Sequence, residues 1–291
     1  MRVRRRVLFA SVLGALGATL CGASCAGEGA PSAEEALSAA YGVPVVQGVL
    51  PEAARAGVPL SAGAAVHWEL AWDLDGTEAA PNGGRRFVTD LGYSVTLTAA
   101  HIATVGLEAV PCVTEASVGD ALRGFLGPRT ARADHAYDHD ESWLSSVLVE
   151  SALGGGVTRY GTSHASGGLY CTAFSLAMPV AEAAADGTWM LGQSVSLAGA
   201  YVSSAAGSER PRPFQASLSL SLGGLSELAL SEGARLPEGA EAFDEVTITV
   251  TRALRTSLDG LALESVSSVD LADGFLRNVV QSAVVTVVPA D

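Results

Sequence analysis

The chain lacks lysine entirely, so its 17 basic residues are all arginines, set against 31 acidic residues. Its formal net charge is −14 at pH 7, and 48% of its residues are hydrophobic, enough to fill a sizeable core. An acidic surface without lysine repels phosphate backbones and anionic lipids. This composition makes nucleic acid a poor candidate partner and leaves cationic partners open.

A long apolar run is also missing. The run from Val7 to Leu20 covers 14 residues, whereas a membrane-spanning helix needs roughly 20. It follows four arginines and precedes small residues, which is the layout of a secretory signal peptide. We therefore expect residues 1–24 to be a signal peptide. Its removal takes away four arginines and no acid, so the mature charge becomes −18.

The end of this leader, Gly22-Ala23-Ser24-Cys25, resembles the lipobox of bacterial lipoproteins. The resemblance implies that Cys25 is the lipid-modified first residue and that residues 25–41 form a lipidated N-terminus and tether. Leucine is usual where this chain has Gly22, so ordinary cleavage after Ala26 remains open. We expect an exported outer-membrane or periplasmic lipoprotein, held at the membrane by its lipid anchor, or alternatively a soluble secreted protein.

Cysteine is scarce, with four in the chain, and the mature part keeps Cys112 and Cys171 besides Cys25. In an oxidising compartment such a leftover pair predicts one disulfide. Two free thiols or metal thiolates are the alternative. A disulfide here would close off the segment 113–170 as an excursion from the rest of the fold.

Most of the chain has the period-two alternation of half-buried strands. In Val66 to Leu74, apolar residues including Trp68 and Trp72 alternate with polar ones including His67, which places the tryptophans in the core and the histidine in solvent. Eight to ten such strands predict a mainly β fold, an antiparallel Ig-like β-sandwich forming a single domain over residues 42–291. A split near residue 206 is the alternative.

The longest strand-like stretch is Phe87 to Cys112, where the alternation shifts by one residue near Ala99 to His101. Such a shift predicts a bulge or a break into two strands, with His101 as a structural residue. Elsewhere the patterns predict a helix over Ser142 to Leu153, ended by three glycines, and a polar connector over Gly223 to Glu241. A second helix is predicted over Ala272 to Gln281 and a last strand over Ala283 to Val288.

The excursion contains an acidic, histidine-bearing run that is a candidate metal site. His135 and His139 are four residues apart, so in a helical turn both rings would share a face at chelating distance. Asp138 or His164 could complete a copper or zinc site, since imidazole with carboxylate suits these ions. A solvated acidic loop is the alternative interpretation, and we favour it.

Catalytic motifs are missing: the sequence has no G-x-S-x-G, P-loop, H-E-x-x-H or C-x-x-C. We therefore expect a non-catalytic cell-envelope lipoprotein that is structural or binds a protein or glycan partner, with metal binding through the His135 and His139 segment as the alternative.

The half-polar strands, the V-x-L and L-x-x-V-P-C patterns that end at Cys112, and the later Tyr170-Cys171 resemble uncharacterised secreted lipoproteins of high-GC bacteria. More distantly they resemble the MbnP-type periplasmic β-proteins. The second resemblance implies an association with copper. It assigns no ligand to this chain, because the four-cysteine motif of that family is absent here.

Overall fold

The structure is a computed structural model that describes residues 33–48, 57–112, 142–203 and 210–290. These residues belong to one compact unit. Their elements, in chain order, are α1 (Ala33–Tyr41), β1 (Val45–Gln47), β2 (Val58–Asp73), β3 (Glu78–Ala79), a 3₁₀ turn (Pro81–Gly83), β4 (Arg85–Val88), β5 (Tyr93–Pro111), β6 (Trp143–Ser151), β7 (Gly156–His164), β8 (Gly168–Ala177), β9 (Val195–Ser203), β10 (Arg212–Leu218), β11 (Leu222–Leu230), β12 (Phe243–Ala253), α2 (Ser268–Gln281) and β13 (Val284–Pro289).

The mainly β class predicted from the sequence is confirmed, because one hydrogen-bonded network joins 13 strands in the described residues. Neither helix in this part of the chain has the length and apolar content that crossing a bilayer requires. The two tryptophans of β2 lie in the core, with Trp68 fully buried and Trp72 nearly so.

Strand β5 organises the sheet, since it pairs with β4, β6, β8 and β9. Its register against β9 shifts between Leu97 and Ala99. Before this point Val95 and Leu97 are buried, and beyond it Ala100 and Ile102 are buried instead. The predicted shift in alternation is therefore a β-bulge within one long strand, and not a break into two strands.

The expectation of purely antiparallel strands is wrong. Strand β12 runs parallel to β2, and β11 runs parallel to both β1 and β13. A further pairing between β8 and β11 closes a circuit through β13, β12 and β2. Apolar alternation shows which face of a strand is buried and says nothing about the direction of its neighbour. These pairings do not show a separate pair of Ig-like sheets.

The helix predicted over Ser142 to Leu153 is also wrong, because this segment forms strand β6, paired antiparallel with β5. Of the three glycines after it, Gly154 and Gly155 lie between β6 and β7 and Gly156 begins β7; Gly155 and Gly156 have positive φ, at 63° and 86°. Consecutive residues of positive φ suit a tight turn between strands. The glycines therefore connect two strands and do not end a helix.

The predicted connector over Gly223 to Glu241 begins with strand β11. A Cβ atom on Gly224 would lie 2.2 Å from Val280 Cγ1 of α2, so glycine allows the helix to approach the sheet closely. The predicted C-terminal helix is confirmed as α2 and begins earlier than expected, at a cap where the Ser267 side chain accepts a hydrogen bond from the Asp270 N–H. The last predicted strand is confirmed as β13.

The disulfide between Cys112 and Cys171 is confirmed, with a Cα–Cα distance of 4.8 Å. It joins the end of β5 to β8, beside a backbone hydrogen bond of 2.8 Å from the Cys112 N–H to the Leu169 carbonyl. The alternatives of free thiols or metal thiolates do not hold for this pair.

Candidate functional site

Residues 180–193, between β8 and β9, form a small hairpin that we call the 180–193 hairpin. Its tip is closed by hydrogen bonds of 2.8 Å from the Ala184 N–H to the Thr188 carbonyl and from the Gly187 N–H to the Ala184 carbonyl. Its arms are joined by the Met190 N–H, which donates to the Glu182 carbonyl at 2.8 Å. This backbone bonding gives the hairpin a defined shape.

The inner side of the hairpin is anchored in a small apolar cluster. Met190 is fully buried and Ala184 nearly so, and both pack with Ala103 of β5 and Val149 of β6. Burying a methionine side chain contributes roughly 1.5–3 kcal/mol. The anchor therefore holds the hairpin against β5 and β6.

The outer side of the hairpin carries two large apolar side chains in solvent. Trp189 and Leu191 flank Met190, and they are 69% and 73% exposed. Among the described residues they are the most exposed large apolar side chains, and the next, Val157, is 60% exposed. Because alternate residues of an extended segment point to opposite sides, a buried Met190 directs both neighbours outward. We call Trp189 and Leu191 the apolar tip.

The hairpin is also acidic, since Glu182 and Asp186 are both exposed and residues 160–209 contain neither arginine nor lysine. Asp186 accepts a hydrogen bond of 2.9 Å from the Thr188 N–H. This backbone bond, together with weaker contributions from the Thr188 hydroxyl and from His101, holds the pKa of Asp186 below its ordinary value. Asp186 is thus ionised at neutral pH.

His101 lies beneath the hairpin and is fully buried. Its Nε2 lies 2.9 Å from Asp186 Oδ2, while its Nδ1 has no hydrogen-bond partner within the described part of the chain. Ser151 of β6 and Ser196 of β9 stand opposite His101 in the sheet. Neither hydroxyl bonds to Nδ1, so this Ser/His/Asp set does not form a nucleophile and base pair. His101 instead fastens the hairpin to β5, a structural role.

His67 belongs to a second polar cluster, across β7, β2 and β12. Its Nδ1 lies 2.8 Å from Thr162 Oγ1 and 3.2 Å from an Arg159 guanidinium nitrogen, and its Nε2 lies 2.8 Å from Glu245 Oε1. Because a guanidinium only donates, Nδ1 accepts and Nε2 carries the proton that Glu245 accepts. His67 is a cross-strand contact, and not the solvated side chain that its place on the polar face predicts.

A third polar cluster is buried in the core. Arg252 of β12 is paired with Glu150 of β6, and both side chains are almost fully buried. Glu150 also accepts hydrogen bonds from Thr104 Oγ1 at 2.8 Å and from Trp72 Nε1 at 3.1 Å. These partners occupy the carboxylate on both oxygens, so the cluster joins strands and offers no free group for chemistry.

The predicted metal site is not brought together in the described residues. His164 lies exposed at the end of β7, opposite Ala65, while His135, Asp138 and His139 lie outside the described residues. Within the described ranges, no group of three or more His, Cys, Asp or Glu side chains is placed to hold a metal ion. Copper or zinc binding stays a prediction. Lipidation of Cys25 also falls outside the described residues.

An open groove of about 420 Å³ is lined by residues of β5, β9 and β10, none of them charged. Phe214 forms one wall, beside Gln215 and Thr98. Nothing in this lining supplies an acid, a base or a nucleophile other than the Thr98 hydroxyl, which donates to the Ala198 carbonyl at 3.2 Å. The groove is therefore a weaker candidate than the hairpin.

Comparison of the chain with protein-family models, with curated proteins and with solved structures finds no match. The resemblances drawn from its sequence remain predictions.

The apolar tip is the feature that the sequence analysis missed. Asp186-Gly187 is a typical hairpin dipeptide, and it stands directly before Thr188-Trp189-Met190-Leu191. That signal predicts the turn. It does not show which of the following apolar residues is buried, because that depends on the packing of Met190 against β5 and β6.

Proposed function

We propose that the protein is a non-catalytic cell-envelope lipoprotein that binds a protein partner through the apolar tip of the 180–193 hairpin. One observation carries this proposal. Trp189 and Leu191, the two most exposed large apolar side chains of the described residues, stand on a hairpin that the buried Met190 anchors. Tryptophan is enriched at protein interfaces and provides a large contact area with few rotatable bonds.

The anchoring supports partner binding on energetic grounds. Ordering a flexible loop on association costs free energy, and a loop held beforehand avoids much of that cost. The hydrogen bonds between the hairpin arms and the contact between His101 and Asp186 hold the tip before any partner arrives. Exposed apolar side chains do not help to keep a protein in solution. When they stand together on a rigid loop, they suit a binding surface.

The proposed location rests on sequence and on the disulfide. A disulfide persists in oxidising compartments outside the cytoplasm, which agrees with export. The lipid anchor at Cys25 would hold the protein at a membrane. Mass spectrometry of the mature N-terminus should find a lipid-modified Cys25, and an unmodified N-terminus at Gly27 would contradict anchoring.

Partner binding is tested by site-specific photo-crosslinking in cells that export the full chain. A benzophenone amino acid at position 185, an exposed residue of the same hairpin, leaves Trp189 in place. It should give an adduct with a single protein that is absent when the label stands at Leu220, an exposed apolar control at 59% exposure. The purified adduct partner should bind the wild-type protein and lose affinity for the Trp189→Ala variant. Identical adducts at positions 185 and 220, or none at position 185, would overturn the proposal.

A further inference from the structure

We propose that the open groove lined by β5, β9 and β10 binds a neutral saccharide, a ligand whose ring has an apolar C–H face and uncharged hydroxyl groups at its rim. This site goes beyond the proposed function, because it shares no residue with the 180–193 hairpin and takes a different class of ligand. Its basis is the chemistry of the residues that line the groove.

The bulge in β5 supplies a polar group to the groove. The register against β9 shifts between Leu97 and Ala99, so Thr98 has no partner residue in the ladder and is exposed. Its hydroxyl donates to the Ala198 carbonyl at 3.2 Å, which holds the side chain in place and leaves the oxygen lone pairs free to accept from a ligand. The bulge therefore presents a fixed hydrogen-bond acceptor.

The ring of Phe214 forms a wall of the groove. It is half-buried and packs against Tyr201, with the ring centroids 6.4 Å apart. A Cβ atom on Gly199 would lie 3.0 Å from Phe214 Cζ and 2.5 Å from the Thr96 carbonyl oxygen, so glycine allows the ring to approach β9. The fold therefore holds an aromatic ring at the groove with part of the ring open to solvent.

The groove is uncharged, although the protein is strongly acidic. None of its six lining residues is charged, and the polar side chains among them are Thr98 and Gln215. Arg212, which adjoins the lining residue Pro213, is paired with Glu264 at 3.9 Å, so these two charges offset each other. An ionised ligand would lose part of its hydration here without gaining a counter-charge. The lining therefore favours a neutral ligand.

A saccharide matches both the ring and the polar groups. In β-linked glucose and N-acetylglucosamine the ring substituents are equatorial, which leaves apolar faces of axial C–H groups that can stack on Phe214. The rim hydroxyls can then donate to Thr98 Oγ1 and exchange hydrogen bonds with the Gln215 amide. The volume of about 420 Å³ falls within the roughly 300–1,000 Å³ typical of small-ligand sites. A purely apolar ligand would displace water from these polar groups without replacing its hydrogen bonds.

The test is saturation-transfer difference NMR and calorimetric titration of the exported protein with three tetrasaccharides of the same β-1,4 linkage. Cellotetraose and chitotetraose are neutral, whereas tetraglucuronate carries a carboxylate on each ring. The neutral probes should bind with millimolar affinity, because an open groove contacts one side of a ligand. They should bind at least about tenfold more tightly than tetraglucuronate.

Variants of the lining locate the ligand. Phe214→Leu keeps an apolar side chain and removes the ring, and Gln215→Ala removes the amide. Each should weaken binding of the neutral probes by about fivefold. Gln47→Ala removes an exposed glutamine from β1 and should leave the affinity unchanged. Trp189→Ala should also leave it unchanged, so the groove and the apolar tip are tested independently.

Four results would overturn the saccharide site. These are no binding of either neutral probe at about 20 mM, affinities that neither Phe214→Leu nor Gln215→Ala lowers, tetraglucuronate binding as tight as that of the neutral probes, and loss of binding in Trp189→Ala. The last of these would place the saccharide on the apolar tip. Failure of the groove leaves the crosslinking result at the hairpin unaffected, so the saccharide site and the protein partner fail separately.

Discussion

Replacement of Arg252 by methionine should remove one member of the buried ion pair and leave the Glu150 carboxylate in the core. The pair is enclosed, with side-chain exposures of 3% for Arg252 and 4% for Glu150. Without Arg252, the carboxylate keeps the hydrogen bonds from Thr104 and Trp72 and loses its counter-charge. Methionine fills much of the space of the arginine stem, so the perturbation is mainly electrostatic.

The expected loss follows from this burial. Leaving one charge of a buried pair uncompensated costs roughly 3–5 kcal/mol, a large share of the roughly 5–15 kcal/mol by which domains are stable. Changing Glu150 to glutamine in the same variant removes the stranded charge and keeps an acceptor for Thr104 or Trp72. The double variant should therefore recover about 2 kcal/mol relative to Arg252→Met, as residues in one network are coupled.

Urea unfolding followed by circular dichroism measures these differences. The matched control is Arg255→Met, which breaks the pair between Arg255 and Asp259, separated by 3.1 Å, with side-chain exposures of 34% and 27%. Pairs that solvent can reach contribute about 0–1 kcal/mol. A loss in Arg252→Met no larger than in Arg255→Met, or additive effects in the double variant, would refute the view of a coupled buried network.

Three further predictions concern the disulfide and two titrating groups. Replacing Cys112 and Cys171 by serine should lower the free energy of unfolding by about 4 kcal/mol, given a separation of 59 residues, and dithiothreitol should then have no further effect. Burial raises the pKa of Tyr160, so the free energy of unfolding should fall above about pH 10, where the tyrosine ionises only in the unfolded chain. Urea titrations at alkaline pH should show a weaker dependence of stability on pH in Tyr160→Phe. The pKa of Asp186 is lowered in the folded protein, so the stability that its carboxylate contributes should be lost as pH falls below about 4. Amide exchange in the hairpin should then become faster in the wild type and in the control Asp244→Asn. It should not become faster in Asp186→Asn.

The sequence predicted the features that depend on local pattern. Alternation in β2 placed Trp68 in the core, the shift near Ala99 marked the bulge in β5, and two leftover cysteines gave the disulfide. Each of these follows from period, parity or pairing along the chain, without knowledge of neighbouring strands.

The errors arose where neighbours decide the outcome. Trp143, Val147 and Leu148 fit a helical face by spacing, yet pairing with β5 makes the segment a strand. Gly223 and Gly224 suggested a loop, but they lie in a strand, where Phe174 and Val280 pack so closely against them that a Cβ atom would not fit. The alternation of apolar and polar residues is the same whether β12 runs parallel or antiparallel to β2, so the sequence could not predict the direction.

The same distinction applies to the candidate site. The dipeptide Asp186-Gly187 predicts a turn, whereas the exposure of Trp189 depends on the burial of Met190 against Ala103 and Val149. The contact between His101 and Asp186 joins residues 85 positions apart. No spacing rule connects such residues, so the site could be located only from the three-dimensional arrangement.

The size of the apolar tip limits what it can do by itself. Trp189 and Leu191 together offer on the order of 250 Å² of exposed apolar area, which at about 25 cal/mol per Å² corresponds to about 6 kcal/mol on full burial. Association costs an estimated 4–15 kcal/mol before any net affinity appears. A lipid anchor at Cys25 would raise the effective concentration of a partner held at the same membrane. Partner binding through this hairpin is therefore expected to be weak in solution and strong between two molecules tethered to one surface.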